Sequence, residues 1–299
     1  MFAYDIAWEP HLGFPDERRW WDGDWERWVV GRYGNAENAE REWRHPIPRF
    51  EDAVTGPSDE QLTKEGPWNS MVMDYRRFVN DLVEEKYGEA VKMIRCIDAN
   101  HLIGARCGGA TYGPGLDHVV PLDLWSTAEH LDFVSPEWGF PDLVGEESRR
   151  NGFHTIYAHC VGKGKPVIWV EFGYDTRSDS RRMQEQKSRY QDFYEMALES
   201  GANGVVAWCY PGGHRVDESG SDFGILDADG GFRPVCDVIK EYSAKFTQPR
   251  TRPSPDHWIT LDRELYLWRY SKISDYGSRE YLKALKSGRI PGLKMPGIE

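Results

Sequence analysis

The chain has 299 residues, 39% hydrophobic and 29% charged, enough to bury one large core or two. Its 37 basic and 49 acidic residues give a formal charge of −12; with no clustered Lys and Arg, this excludes a nucleic-acid-directed surface. The five cysteines, Cys96, Cys107, Cys160, Cys209 and Cys236, show neither CxxC nor His-linked spacing, which excludes a zinc site and a disulfide scaffold and leaves most of them as expected small buried hydrophobes.

In chain order, Phe2-Ala-Tyr-Asp-Ile-Ala-Trp-Glu9 reads as a short strand closed by a glutamate and ended by Pro10. A loop through His11 leads to a helical pattern over Trp21, Trp25, Trp28, Val29 and Tyr33, stopped at Gly34. A short helix with Ala36, Ala39 and Trp43 follows, then a polar, proline-punctuated loop. Residues 68–97 carry Tyr75, Phe78, Val79, Leu82, Val83, Tyr87, Val91 and Ile94 at helical spacing, the clearest amphipathic helix in the chain. A turn at Asp98-Ala-Asn-His101 precedes a strand over residues 102–107, and a further strand is predicted over 131–135. A helix over 146–161 leads to the apolar run Lys165-Pro-Val-Ile-Trp-Val-Glu-Phe-Gly-Tyr174, rich in Val and Ile and bounded by Gly and Pro, which reads as a buried parallel strand. A helix over 180–200, a strand over 204–209, a long loop and a last helix over 235–246 complete the pattern. The Asp227-Ala-Asp-Gly-Gly231 run inside that loop lacks the further acidic spacing of a calcium loop and reads as a turn. The first residues have neither the charged region nor the apolar region of a signal peptide, and no apolar span reaches membrane-crossing length.

Strands alternating with helices predict right-handed βα units around a parallel sheet, an α/β fold with five such units. Glu9 and Glu171 each close a strand. Parallel strands bring their C-terminal ends to one face, so two strand-end glutamates far apart in sequence can meet there. A retaining glycosidase needs such a pair, with its acid/base and nucleophile roughly 5 Å apart across the scissile bond.

On these motifs, Ala7-Trp-Glu-Pro10 and Val170-Glu-Phe-Gly173, together with Asp98-Ala-Asn-His101, Trp208-Cys-Tyr210 and Gly224-Ile-Leu-Asp227 in that order, the chain resembles the clan A glycoside hydrolases, which are (β/α)8 TIM barrels such as cellulases, mannanases and β-galactosidases. Matched by order, residues 1–246 are similar to strands four to eight of that barrel, a partial barrel, with 247–299 a charged, weakly helical C-terminal extension. The resemblance implies that the first three βα units are missing and that Met1 is internal to a longer reading frame. A five-stranded arc would leave two open edges and half an exposed core, so the chain alone is expected to be aggregation-prone.

The resemblance implies Glu171 as nucleophile and Glu9 as general acid/base, one ionised and one protonated; two like charges a few ångströms apart push one pKa up and supply that split. Trp8 stands where the family commonly has an Asn that contacts the sugar 2-hydroxyl. Trp208, at a strand end, resembles the Trp that floors the sugar subsite. Glu137 and Trp138 follow the strand before Glu171, Gly139 stands where a nucleophile-orienting Tyr is common, and Tyr174 or Tyr210 can replace it. Arg106 pairs with a carboxylate or points inward, and His214 belongs to a loop over the strand ends. The 13 tryptophans suit sugar stacking and equally suit a core. The expected partner is a β-linked carbohydrate, with no metal, no cofactor, no nucleic acid and no membrane. The competing readings are a non-hydrolytic carbohydrate-binding barrel, an inactive fragment of a glycosidase, and a metal-dependent enzyme of the same barrel shape.

Overall fold

The computed structural model describes residues 2–7, 18–106, 123–136, 143–177, 179–212, 221–248, 250–252 and 254–297. The chain forms an α/β fold divided into two compact units, one of Met1–Asp132, Thr260–Tyr276 and Met295–Glu299, the other of Phe133–Ile259 and Gly277–Lys294.

In the first unit β1 (Ala3–Asp5) and β4 (Leu102–Gly104) pair in parallel, Tyr4 opposite Ile103. The Asp98 turn holds this pair from below. Its carboxylate accepts the Asn100 and His101 amides, the Tyr4 hydroxyl at 2.9 Å and His101 Nδ1 at 2.6 Å. Helix α1 (Asp22–Tyr33) stops at Gly34, whose φ of 86° suits glycine, and α2 (Ala36–Trp43) starts at Asn35, whose side chain accepts the Asn38 amide. Within the proline-punctuated loop, a hairpin of β2 (Arg49–Phe50) and β3 (Ala53–Val54) and a short helix, α3 (Asp59–Thr63), interrupt the expected irregular chain. The long amphipathic helix α4 (Asn69–Ile97) buries Tyr75, Phe78, Val79, Leu82 and Val83 as its spacing predicts. Its core partner is Trp25, fully buried, stacked on Trp43 and edge-on to Tyr75. Trp43 Nε1 and the Tyr33 hydroxyl both donate to the buried Asp74 carboxylate, so these tryptophans are core residues. A five-residue helix, α5 (Leu124–Ala128), follows.

In the second unit β5 (Ile168–Phe172) and β6 (Gly204–Ala207) pair in parallel. The predicted strand over 131–135 contributes one ladder pair there, Val134 with Val167, rather than a full strand; Pro136 next in the chain has no N–H to extend a ladder. The predicted helix over 146–161 divides into a 3-10 turn, Gly145–Asn151, and α6 (Gly152–Val161). Helix α7 (Ser180–Ser200) and α8 (Val235–Phe246) have the predicted bounds. They bury Tyr190, Phe193, Tyr194, Ala197, Val235, Val238 and Tyr242 against Trp169. The tail carries β7 (His257–Thr260), which pairs with β8 (Pro291–Lys294), and α9 (Ser271–Lys286).

Among the described residues the parallel pairs do not close into a barrel, and no helix is long and apolar enough to cross a membrane. The cysteines depart from expectation. Among the described cysteines only Cys236 is buried; Cys160 and Cys209 are half-buried, and Cys96 is exposed near the C-terminal end of α4, past the helix's last buried residue, Gly88. Cys107 lies outside the described residues.

Candidate active site

Glu171 is the fourth residue of β5 and half-buried. The ladder with β6 shifts register between Trp169 and Phe172. Without the shift, residues three apart on a strand would face opposite sides. With it, Trp169 and Phe172 both pack on Phe193 of α7, Phe172 stacked at 3.7 Å and 9°.

The C-terminal ends of β5 and β6 are tied together. The Trp208 amide donates to the Phe172 carbonyl at 2.8 Å, and the Tyr190 hydroxyl, from the fully buried Tyr190, reaches the Phe172 carbonyl at 3.3 Å and the Trp208 carbonyl at 3.5 Å. Gly173 lies directly under Trp208: a Cβ there would stand 2.3 Å from the Trp208 carbonyl oxygen. The Glu-Phe-Gly sequence thus has a packing reason for its glycine. The Trp208–Cys209 peptide is cis.

The loop after β6 folds back onto the same ends. Cys209 N donates to Phe223 O and Ile225 N to Cys209 O. Buried Arg233 fixes this loop, donating to both oxygens of the fully buried Asp222 at 3.1 and 2.7 Å, to Asp227 at 2.9 Å and to the Gly224 carbonyl at 2.8 Å. Gln186, fully buried on α7, gives its amide to the Gly224, Phe223 and Tyr174 carbonyls. Asp227 and Gly231 close a tight turn between the bridged Leu226 and Phe232.

Of the other sequence candidates, Tyr174 points its hydroxyl at Glu185 of α7, 2.6 Å away, with Arg182 and Arg189 over its ring. Burial, then the Glu185 bond, pushes its phenol up. Tyr210 is 69% exposed. In the first unit, Arg106 at the end of β4 pairs with Asp5 of β1 at 3.0 Å and gives its amide to the Ala7 carbonyl. Trp8, Glu9, Glu137, Trp138 and His214 lie outside the described residues, as do His11 and Gly139. The described site therefore brings Glu171 and Trp208 together at the ends of adjacent parallel strands. Sequence reading missed Tyr190, Gln186 and Arg233. Tyr190 shows only as one more apolar position on α7, and nothing in its spacing announces where its hydroxyl goes.

No described group of His, Cys, Asp and Glu is arranged to hold a metal ion. What remains is a carboxylate residue at one strand end and a tryptophan at the next, their backbones tied together by the Trp208–Phe172 bond and the Tyr190 hydroxyl.

Several solved structures similar in fold are glycoside hydrolases. The beta-galactosidase of the haloarchaeon Halorubrum lacusprofundi aligns with a TM-score of 0.67 at 16% identity, over 94% of this chain and 44% of that one. That of Rahnella sp. R3 gives 0.67 at 14% identity, over 97% and 43%. A GH5 protein, subfamily 18, from Streptomyces cattleya in complex with Manβ1-4GlcNAc gives 0.55 at 13% identity, over 90% and 79%. No curated protein matches. The family model for glycoside hydrolase family 42, beta-galactosidase, matches residues 19–241, and the chain belongs to that family. It spans less than half the length of the beta-galactosidases it aligns with.

Proposed function

We propose that this chain is a glycosidase that cleaves a β-linked galactoside or related oligosaccharide with retention of configuration, Glu171 acting as nucleophile and Glu9 as general acid/base. The observation that carries this reading is the joining of Glu171 and Trp208 at the C-terminal ends of neighbouring parallel strands through the 2.8 Å Trp208–Phe172 bond. In this reading β1, β4, the Val134 segment, β5 and β6 correspond to strands four to eight of a (β/α)8 barrel, whose active sites form at those ends. Ionised Glu171 attacks the anomeric carbon while Glu9 protonates the leaving oxygen; Glu9 then takes a proton from water, which hydrolyses the glycosyl–enzyme ester. Trp208 offers its ring as a sugar platform. Trp8, Arg106, Glu137, Trp138, Tyr174, Tyr210 and His214 are the further candidates for substrate contact. Family membership supports a galactoside over other sugars.

The test is hydrolysis of an aryl β-galactoside by the chain, with Glu171→Gln and Glu9→Gln. Glu171→Gln should fall by several orders of magnitude, and a 2-deoxy-2-fluoro glycosyl fluoride should label the peptide that contains Glu171. Glu9→Gln should hydrolyse substrates with good leaving groups far better than those with poor ones. More than a few per cent of activity in Glu171→Gln, or sugar binding without turnover in the unaltered chain, would overturn the reading.

A further inference from the structure

In the second unit, the C-terminal ends of α7 and α9 border a cavity of about 350 Å³ that none of the β5 and β6 residues lines. Its apolar walls are Ile156, Leu285, Ile290 and Pro291, and its polar groups come from Arg149, Glu199, Ser200, Arg252, Tyr281 and Arg289. Ser200 and Arg289 are already engaged, bonding the Met196 carbonyl and Asp256, and the standing of the others differs. Arg149 is committed, both of its bonds going to the two Glu199 oxygens. Arg252 is not: no carboxylate and no hydrogen-bond acceptor pairs with its guanidinium among the described residues, and its stem lies against Gly201, the left-handed cap that ends α7. Tyr281 is 2% exposed, yet its hydroxyl makes no hydrogen bond among the described residues. The hydroxyl rests on Gly152, where a Cβ would stand 2.4 Å from its oxygen.

A half-buried guanidinium without a counter-ion and a buried phenol without an acceptor are each costly to leave unmatched. Here both border one cavity with apolar walls. Burial pushes the Arg252 pKa down, as expected for a cation that lacks an acidic partner. A carboxylate satisfies both donors at once, since the guanidinium fork matches its two oxygens and a phenol O–H completes one of them. The apolar walls ask for more than a bare anion, and the volume is at the small end of the range for ligand pockets, roughly 300–1,000 Å³.

We propose that this cavity is a binding site for a small monocarboxylate with an apolar body, held by Arg252 and Tyr281 and separate from the Glu171 site. The claim is independent of the glycosidase reading, because it uses none of that reading's residues.

Benzoate, benzyl alcohol and inorganic phosphate serve as probes, titrated calorimetrically into the full chain. Benzoate should bind with one site per chain at millimolar affinity or tighter, benzyl alcohol should not bind, and phosphate should bind at least about tenfold more weakly than benzoate. Arg252→Gln should weaken benzoate about tenfold or more, and Tyr281→Phe should weaken it by a smaller factor with little change in fold. Arg252→Lys, which keeps the charge and loses the fork, should fall between them. No benzoate binding at about 20 mM, equal binding by Arg252→Gln or Tyr281→Phe, or phosphate binding as tight as benzoate would each overturn the proposal.

Discussion

Trp208 and Phe172 share a backbone bond, amide to carbonyl at 2.8 Å, that joins the ends of two parallel strands at the point where one has just presented Glu171. The bond alone does not fix the distance between the strands. Tyr190 reaches the carbonyls of both residues from behind, and Gly173 lets the Trp208 carbonyl approach to where a side chain would stand. The carboxylate and the indole are thus carried by one braced piece of backbone.

Tyr190→Phe removes only a hydroxyl from a fully buried ring. Phe172 O keeps the Trp208 amide as partner, so the expected cost is that of an ordinary hydrogen bond, about 0.5–1.5 kcal/mol, read as a lower urea midpoint with an unchanged slope. Under the glycosidase reading, kcat should fall while KM stays within a factor of about two, because the brace positions Glu171 without touching substrate. An unchanged midpoint together with unchanged kcat would rule the brace out.

Gly173→Ala would set a Cβ 2.3 Å from a backbone oxygen that is itself held by Tyr190. Neither side can yield without moving a strand end, so a loss of about 2–4 kcal/mol is expected. Thermal denaturation followed by near-UV circular dichroism measures it. A melting temperature equal to that of the parent chain would contradict the close approach.

The helices were legible because each carries its apolar residues at 3.6-residue spacing: of the positions named for α4, Tyr75, Phe78, Val79, Leu82, Val83 and Tyr87 are buried while Val91 and Ile94 are half-buried, and α7 and α8 have the expected bounds. Helix α3 was legible in principle, since Ser58-Asp-Glu-Gln61 is a capping box with both of its bonds present, but the prolines around it hid it. The strands were harder. Leu131 to Ser135 reads as a strand, yet among the described residues it forms isolated bridges at Val134 and Ser135 and no full strand, because neighbouring chain and not propensity decides how far a ladder runs. Glu171 and Trp208 could be singled out as strand-end residues. Tyr190, Gln186 and Arg233 could not, because a hydrogen bond across more than ten residues of sequence leaves no periodic trace. The 13 tryptophans divide as composition alone could not tell: Trp25, Trp43 and Trp169 are core, while Trp20 is 82% exposed.

Arg233→Met tests the clamp on the loop after β6. The guanidinium is 3% exposed and Asp222 fully buried, so the substitution leaves a carboxylate without its main cation in a dry site. Removing one partner of such a pair costs about 3–5 kcal/mol. The double variant Arg233→Met with Asp222→Leu should recover part of that loss, which a double-mutant cycle in urea would show as a coupling of more than about 1 kcal/mol. Additive losses would mean the two side chains act separately.

His154 gives the chain a defined acid response. It lies fully buried on α6 with Phe153 and Trp169 edge-on to its ring. Burial first, and the nearby Arg150 charge second, push its pKa down to about 3. Above about pH 6.5, the ordinary histidine value, the imidazole is neutral in both folded and unfolded chains and contributes no pH dependence. Below it the unfolded chain takes up a proton that the folded chain refuses, so stability falls with decreasing pH, by up to about 1.4 kcal/mol per unit, until the folded ring itself protonates near pH 3. His154→Gln removes the titrating group. Its stability, measured by urea denaturation between pH 7 and pH 4, should therefore decline less steeply than that of the parent chain, the two curves converging toward acid. Parallel curves across that range would show that His154 takes up its proton equally in the folded and unfolded states.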